Sequence, residues 1–363
     1  MNSWIKGKLS LIYLFWALII LLVGVLLIEQ TKFVQTTSYY TEQIQAAQLM
    51  KSSLEVIKEE RLKRNIPLDM GLDPNQTGII GKEYTQLTTT LGNLEAKRTS
   101  TNPAFAALLV KYFKEANLKK GDVIAIGASG SFPALIVAAL SAARVLELEP
   151  LLIYSIGSSE YGANIPEFTF VQMLDSLNKK SILPYHLLAV SMGGYLDQAE
   201  GMFYPDSQDT IKKIVQDSGT FVIDADSIEE NILQRMQLYK KSAKGQPIKA
   251  FVNIGGATAN YGNTNASITY PNGLVINGPK IPDHPERGLI FEYQNLGIPI
   301  MHLLNIRDLA VKNGLPIDPV PFPEIGEGGA YWRIAYNKYI IILVIGIEFF
   351  YLFWAFKNKR GNI

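Results

Sequence analysis

The chain has 363 residues, of which 48% are hydrophobic, 10% aromatic and 18% charged. This composition excludes a disordered chain, and because soluble domains contain ~25% charged residues, it predicts that some apolar segments lie in lipid. With 34 Lys and Arg against 33 Asp and Glu, the net charge of +1 gives no field that favours nucleic acid, and the absence of cysteine excludes disulfides, thiolate zinc sites and cysteine nucleophiles.

An apolar segment lies at each end of the chain. Residues 9–28 contain no charge and match the ~20 residues that a membrane-spanning helix needs. No small-x-small cleavage site follows them, so we expect an uncleaved signal anchor. Residues 339–356 form the second segment, and Lys357, Lys359 and Arg360 follow it. Because positive clusters stay on the cytoplasmic side, we expect a two-pass protein of the cell membrane with both termini in the cytoplasm and the main domain outside.

Glu348 lies in the middle of the second apolar segment. An ionisable group at that depth is costly and usually faces protein or water. One interpretation is a contact with a partner membrane protein or a polar conduit. The other is a protonated glutamate tolerated by a strongly apolar helix.

Residues 29–100 are predicted to form a helical stalk and a polar connector. Apolar residues recur seven apart at Tyr40, Ala47 and Leu54, which is typical of a helix with a heptad-like seam. This seam packs either on a partner or on the protein's own domain.

The connector is rich in Thr and contains a dense polar cluster of Glu95, Lys97, Arg98 and Thr99. One interpretation is a cap or binding segment over a site. The other is a solvated connector that caps neighbouring helices.

Short apolar strands alternate with helices of 10–15 residues between residues 101 and 318. In chain order the predicted strands are DVIAIGAS, PLLIYSIG, HLLAVSMGG, TFVID, IKAFVNIGG and IPIMHLLN. This alternation predicts an extracytoplasmic α/β domain with a mostly parallel, doubly wound sheet and helices on both faces. Residues 319–338, rich in Pro and Gly, predict a tether back to the membrane.

Small polar residues follow four of the predicted strands. Ligands bind beyond the carboxyl ends of the strands in open parallel sheets, and glycines let backbone N–H groups approach them. We therefore predict a polar pocket for a carboxylate, a phosphate or an oxyanion; the alternative for each loop is a simple βα turn. The predicted ligand-binding residues are Lys97, Arg98, Ser129, Gly130, Ser131, Ser158, Ser159, Asn164, Ser191, Gly193, Gly194, Gly255, Gly256 and Asn260.

The loop after the first of these strands resembles a nucleophile elbow in its strand–turn–helix context. Ser129 occupies the serine position of G-x-S-x-G, but Ser131 stands where the last glycine belongs. Ser131 alternatively caps the helix that follows.

A serine nucleophile needs a base, and the chain has three histidines. His186 and His302 fall on predicted strands and are expected to be structural, whereas His284 lies in a loop. Ser129, His284 and Asp224 are therefore the candidate catalytic triad, with Lys97 as an alternative base.

Nucleotide and metal motifs are weak in this chain. There is no G-x-x-x-x-G-K-[ST] sequence, and the first loop lacks G-x-G-x-x-G, so an ATP-driven motor is not predicted. With few histidines and no cysteine, no metal site is predicted, although carboxylate-bound Mg²⁺ or Ca²⁺ stays open. The sequence assigns no cofactor.

Several strings in order resemble the poly-gamma-glutamate system protein family over most of residues 78–330. They are TGIIGKEYTQLTTTLGNLEAKRTSTNPAFAALLV, GASGSFPAL, SIGSSEYGANIPEFTF, SMGGYLDQ and NIGGATANYG. The resemblance implies a role beside the membrane machinery that makes the gamma-linked glutamate polymer. It supplies no established reaction and hence no catalytic residue.

Three functions follow as hypotheses. The first is an accessory subunit that binds the polymer or a gamma-glutamyl oligomer, or organises the membrane subunits of its synthase. The second is a serine-dependent hydrolase or transferase acting on gamma-glutamyl amide bonds. The third is a non-catalytic membrane scaffold.

Overall fold

The computed structural model describes residue 9 and residues 11–360, except for the side chains of Lys359 and Arg360. Ser10, within the predicted N-terminal anchor, and these two side chains of the positive cluster therefore lie outside the described residues. The helices are α1 Leu11–Gln30, α2 Tyr40–Lys63, α3 Leu94–Ser100, α4 Ala104–Glu115, α5 Pro133–Val145, α6 Phe170–Lys179, α7 Ser207–Asp217, α8 Ile228–Ser242, α9 Thr258–Tyr261, α10 Asn265–Ile268, α11 Leu289–Asn295, α12 Ile306–Lys312 and α13 Lys338–Arg360. The strands are β1 Phe33–Thr36, β2 Thr88–Thr90, β3 Val123–Ser129, β4 Glu149–Ser155, β5 Ser158–Ser159, β6 Leu187–Ser191, β7 Ile248–Ile254, β8 Gly273–Val275, β9 Ile300–Leu303 and β10 Trp332–Ala335.

The chain forms two units. One contains the two terminal segments, up to Ser38 and from Trp332, and the other runs from Tyr39 to Tyr331. The second unit therefore includes α2 and most of the Pro/Gly-rich stretch that follows residue 318.

The terminal unit contains the two candidate membrane-spanning helices, α1 and α13. Both are long and apolar enough to cross a membrane, with mean hydropathies of 3.1 and 2.2. Gly24 lies against Val344, and the Tyr351 hydroxyl donates to the Tyr13 carbonyl at 3.2 Å. These contacts run in opposite sequence order, so the two helices are antiparallel, and β1 pairs antiparallel with β10.

The main sheet of the larger unit has six strands in the order β6-β4-β3-β7-β9-β8. All neighbours are parallel except β8, which runs antiparallel to β9. The central strand β3 pairs with β4 and β7, and all of its residues are buried. The predicted α/β class with a mostly parallel sheet is therefore confirmed.

The helices of this unit pack in two groups. Helix α2 contacts α4, α5 and α6, and α4 contacts α5. In the second group α9 contacts both α8 and α11, and α11 contacts β7 and β9. Ala47, Met50 and Leu54 are buried, and Gln43 donates its side-chain amide to the carbonyls of Ala107 and Ala330. The apolar stripe of α2 thus packs on the protein's own α/β unit.

Two strands differ from the sequence prediction. The TFVID segment was expected to be a full strand, but this is wrong, because only Val222 bridges to Val190 and Phe221 stays 60% exposed. Gly219, with φ +62, turns the chain immediately before this segment, so it meets the sheet edge at a single residue. Conversely β8, which has only three residues within a turn-rich sequence, carried no strand signal.

Candidate functional site

The loops at the carboxyl edge of the main sheet surround one cavity of about 560 Å³. It is lined by residues that follow β3, β4, β6, β7 and β9, and by residues 89–97. Parallel strands end at the same edge, which brings these loops together. The volume falls within the ~300–1,000 Å³ of small-ligand sites. Seven of the predicted ligand-binding residues line the cavity: Lys97, Ser129, Ser131, Ser159, Gly193, Gly194 and Gly256.

Lys97, on the short helix α3, is the buried amine of this cavity. Its side chain is 2% exposed, and its Nζ donates to Ser159 Oγ at 2.6 Å and to the Ser131 carbonyl. The Nζ also lies 4.1 Å from the centroid of the Phe132 ring. Burial lowers the pKa of Lys97 to about 7, against an opposing effect of the Glu160 charge. A large fraction of this amine is therefore neutral at pH 7.

The connector reaches the cavity through a short parallel pairing of β2 with β5, in which Thr90 lies opposite Ser159. Glu160 donates its backbone N–H to the Thr90 carbonyl at 3.1 Å, and its carboxylate accepts the Gly92 N–H at 2.7 Å. Asn93 caps α3 by accepting from the Ala96 N–H. Residues 89–97 of the connector therefore lie against the cavity, as the interpretation of a cap or binding segment expects.

Two glycines of the cavity lining, Gly194 and Gly256, have backbone donors without a partner among the described residues. Within the described part of the chain, the N–H groups of Gly194 and Gly256 make no hydrogen bond. A side chain at Gly157 would place its Cβ 2.9 Å from the Gly194 nitrogen, so this close approach requires glycine. Both N–H groups are available to a carbonyl or carboxylate oxygen of a ligand.

Beneath the cavity lies a buried polar network centred on Arg235, which the sequence reading missed. The guanidinium contacts Asp197 at 2.9 Å, Ser191 at 2.6 Å, Ser155 at 3.2 Å and Asn231 at 2.7 Å. This network joins α8 to the ends of β4 and β6 and supports the loops that line the cavity. The sequence did indicate a buried Arg235, because this residue falls on the apolar stripe of α8.

Seven predicted ligand-binding residues do not line the cavity: Arg98, Gly130, Ser158, Asn164, Ser191, Gly255 and Asn260. Arg98 pairs with Asp318, with Nε 2.8 Å from Oδ1. Asn164 is fully buried and holds the connector through both the N–H and the carbonyl of Lys82. The others form the turns or the network immediately behind the lining.

The three members of the candidate triad lie in different surroundings. Ser129 lines the cavity, whereas neither His284 nor Asp224 belongs to the lining. His284 is exposed, and its Nδ1 accepts the Glu286 N–H at 3.1 Å. Asp224 is also exposed.

The other two histidines lie away from the lining. His302 is buried beside Asn253, and burial lowers its pKa to about 4, which keeps its ring neutral. His186 is exposed and contacts Asn178. Among the described residues, no group of three or more His, Asp or Glu side chains is arranged to hold a metal ion.

No protein-family model matches the chain, and comparisons with curated proteins and with solved structures return no match. The class of protein is therefore described by its fold and its site alone. It is an α/β unit with a ligand-sized cavity at the carboxyl edge of its mostly parallel sheet, in a chain with two candidate membrane-spanning helices.

Proposed function

We propose that this chain is a membrane-anchored accessory protein of poly-gamma-glutamate synthesis or export, whose α/β domain binds a short stretch of the polymer. The observation that carries the proposal is the convergence of five strand-end loops and the connector on one cavity. The connector and four of these loops, those after β3, β4, β6 and β7, also contain the sequences that resemble the poly-gamma-glutamate system family.

The chemistry of the lining suits a gamma-glutamyl oligomer. Each unit of such a chain carries an amide and a carboxylate, which need donors and acceptors together. The N–H groups of Gly194 and Gly256 supply donors, and the serine hydroxyls supply both. Arg307 is 72% exposed and attracts carboxylates to the rim, although Glu95 lies 3.6 Å away. A cavity of about 560 Å³ holds a few units or a chain end.

In this proposal the two apolar helices anchor the chain in the membrane. Helices α1 and α13 form an antiparallel pair across the cell membrane, both termini are cytoplasmic, and the α/β domain is extracytoplasmic. Within that domain the two helix groups cover opposite faces of a doubly wound sheet. The complete burial of β3 supports this arrangement.

Glu348 on α13 is the candidate contact with a membrane subunit of the synthase. Its Oε2 is buried and has no hydrogen-bond partner in the described part of the chain. The Glu348 residue as a whole is only half-buried, so a polar group on a helix of another subunit has access to the carboxyl group and offsets the cost of an unpaired ionisable group at this depth.

Binding of gamma-linked glutamate oligomers to the full-length chain in detergent tests the proposal. We expect binding of gamma-linked oligomers and much weaker binding of alpha-linked oligomers of equal charge. A Cβ at Gly256 would meet only Leu304, at an ordinary contact distance of 3.6 Å, and Gly256→Leu, which adds bulk to the cavity lining, should lower the affinity at least about tenfold. Ser52→Leu, on the exposed face of α2, is the matched control. Equal affinity for both linkages, or no binding, would contradict the proposal and leave a scaffold role.

A further inference from the structure

Lys97 and Ser159 have the geometry of a base and a nucleophile, which ligand binding alone does not use. The Nζ of Lys97 and the Oγ of Ser159 are 2.6 Å apart, and both residues line the cavity. A neutral amine at this distance accepts the hydroxyl proton. Such serine–lysine pairs replace the histidine of a catalytic triad in several unrelated folds.

We propose that Ser159 and Lys97 catalyse acyl transfer on a carbonyl group bound in the cavity, with Ser159 Oγ as the nucleophile and Lys97 as the general base. For its substrate, a gamma-glutamyl amide, this inference rests on the proposed function. The reactivity of the pair itself is independent of that substrate.

The surroundings of Lys97 favour the neutral amine. No ion pair within 4.0 Å among the described residues involves Lys97, and the nearby Glu160 carboxylate accepts the Gly92 N–H. The Ser131 carbonyl accepts from the Nζ and orients it. Burial brings the pKa of Lys97 to about 7, which is the range in which a general base works best at neutral pH.

Four serines line the cavity, and their contacts single out Ser159. Ser155 Oγ accepts from the guanidinium of Arg235, which cannot act as a base. Ser131 Oγ accepts the Ser159 N–H at 3.1 Å. Ser129 Oγ lies against Gly255, where a Cβ would come within 2.5 Å of it. Within the described part of the chain, only Ser159 Oγ is hydrogen-bonded to an amine.

In the acylation step, the Ser159 proton moves to the neutral Lys97 amine while Oγ bonds to the amide carbonyl carbon. The N–H groups of Gly194 and Gly256 are available to the oxyanion. The C–N bond then breaks, and the Lys97 ammonium donates the proton that it took from Ser159 to the leaving amine.

In the second step, water or another amine gives its proton to Lys97 and attacks the ester carbon. The ester C–O bond breaks, and Ser159 Oγ takes the proton back from Lys97. With water, one amide and one water become one acid and one amine, and the pair is restored.

A biotinylated fluorophosphonate, which reacts with activated serines, tests the proposal on the full-length chain in detergent micelles. We expect one adduct, mapped to Ser159 by mass spectrometry, with a rate that rises with pH through a midpoint near 7. Ser159→Ala and Lys97→Met should lower labelling at least about 100-fold. Ser52→Ala and Lys212→Met, both at exposed positions, should label at the wild-type rate.

A charge-conserving variant separates a base from a structural cation. Lys97→Arg keeps the positive charge and the donors but cannot accept a proton at neutral pH, so we expect no labelling. Labelling restored by Lys97→Arg would overturn the proposal. If the Lys97 variants do not fold, the labelling site and the pH profile of the wild-type chain test the proposal instead. A missing adduct, an adduct on another serine or a labelling rate that does not change with pH would overturn the proposal.

The same preparation distinguishes the two proposals. Labelling of Ser159 without binding of gamma-linked oligomers would support Ser159 and Lys97 as a catalytic pair and would refute the proposed ligand. Binding of the oligomer by a chain that the probe does not label would refute acyl transfer and sustain the binding function.

Discussion

Arg235 and Asp197 form an ion pair of 2.9 Å in which the two side chains are 0% and 1% exposed. Asp197 also accepts the Gly193 N–H at 2.8 Å, so the pair ties α8 to the glycine loop of the cavity. Two charges taken out of water are tolerated only because each compensates the other.

Removal of one member of this pair should destabilise the α/β unit strongly. Asp197→Asn keeps the size of the side chain but leaves the Arg235 charge uncompensated, so we expect the free energy of unfolding to fall by about 3–5 kcal/mol. Pulse proteolysis in urea on the full-length chain measures this. Asp175→Asn, in the exposed pair with Lys179, should change the free energy by less than about 0.5 kcal/mol. Equal effects of the two substitutions would contradict the account.

The stability of the wild-type chain should depend on the protonation of Lys97. Its pKa is about 7 in the folded chain and about 10.4 in the unfolded chain. Between these values the unfolded chain binds the proton and the folded chain does not. The free energy of unfolding of the wild-type chain, relative to that of Lys97→Met, should therefore rise with pH by up to about 1.4 kcal/mol per pH unit from about pH 7 to about pH 10. A constant difference over this range would show that the amine keeps its ordinary pKa.

The pair of Arg98 and Asp318 should contribute to stability as a coupled unit. The guanidinium makes two hydrogen bonds to the carboxylate, and the side chains are 24% and 18% exposed. We expect a coupling free energy of about 1–2 kcal/mol, below that of a fully buried pair because water screens the charges. A double-mutant cycle of Arg98→Ala and Asp318→Ala measures this coupling. Additive effects would mean that the contact does not stabilise the fold.

The cysteine-free chain allows a direct test of the proposed topology. Ser52→Cys, on α2, should react with a membrane-impermeant maleimide in intact cells. Lys357→Cys, after the second apolar segment, should react only after the membrane is permeabilised. The opposite pattern, or equal reaction at both positions, would contradict the two-pass arrangement with cytoplasmic termini.

The position of the cavity was predictable from the sequence because it depends on strand direction alone. Once DVIAIGAS and IKAFVNIGG are parallel neighbours, the loops that contain Ser129 and Gly256 must lie at one edge. The heptad-like spacing was likewise sufficient to predict a helix for α2, because Tyr40, Ala47 and Leu54 all lie within the observed Tyr40–Lys63.

Side-chain partners were not predictable in the same way, because they depend on residues far apart in the chain. Lys97 meets Ser159 across 62 positions, and Arg235 meets Ser155 across 80. Arg98 looked like a ligand-binding cation, yet its partner is Asp318, more than 200 residues away. The TFVID segment had strand composition, but whether it pairs along its length was decided by where Gly219 turns the chain.

Hydrogen–deuterium exchange of the full-length chain, with and without a gamma-linked glutamate oligomer, shows whether these loops form one binding site. We expect the oligomer to slow exchange together in residues 89–97 and in the loops after β3, β4, β6, β7 and β9. Protection confined to one of these segments, protection elsewhere, or equal protection by the alpha-linked oligomer would contradict this expectation.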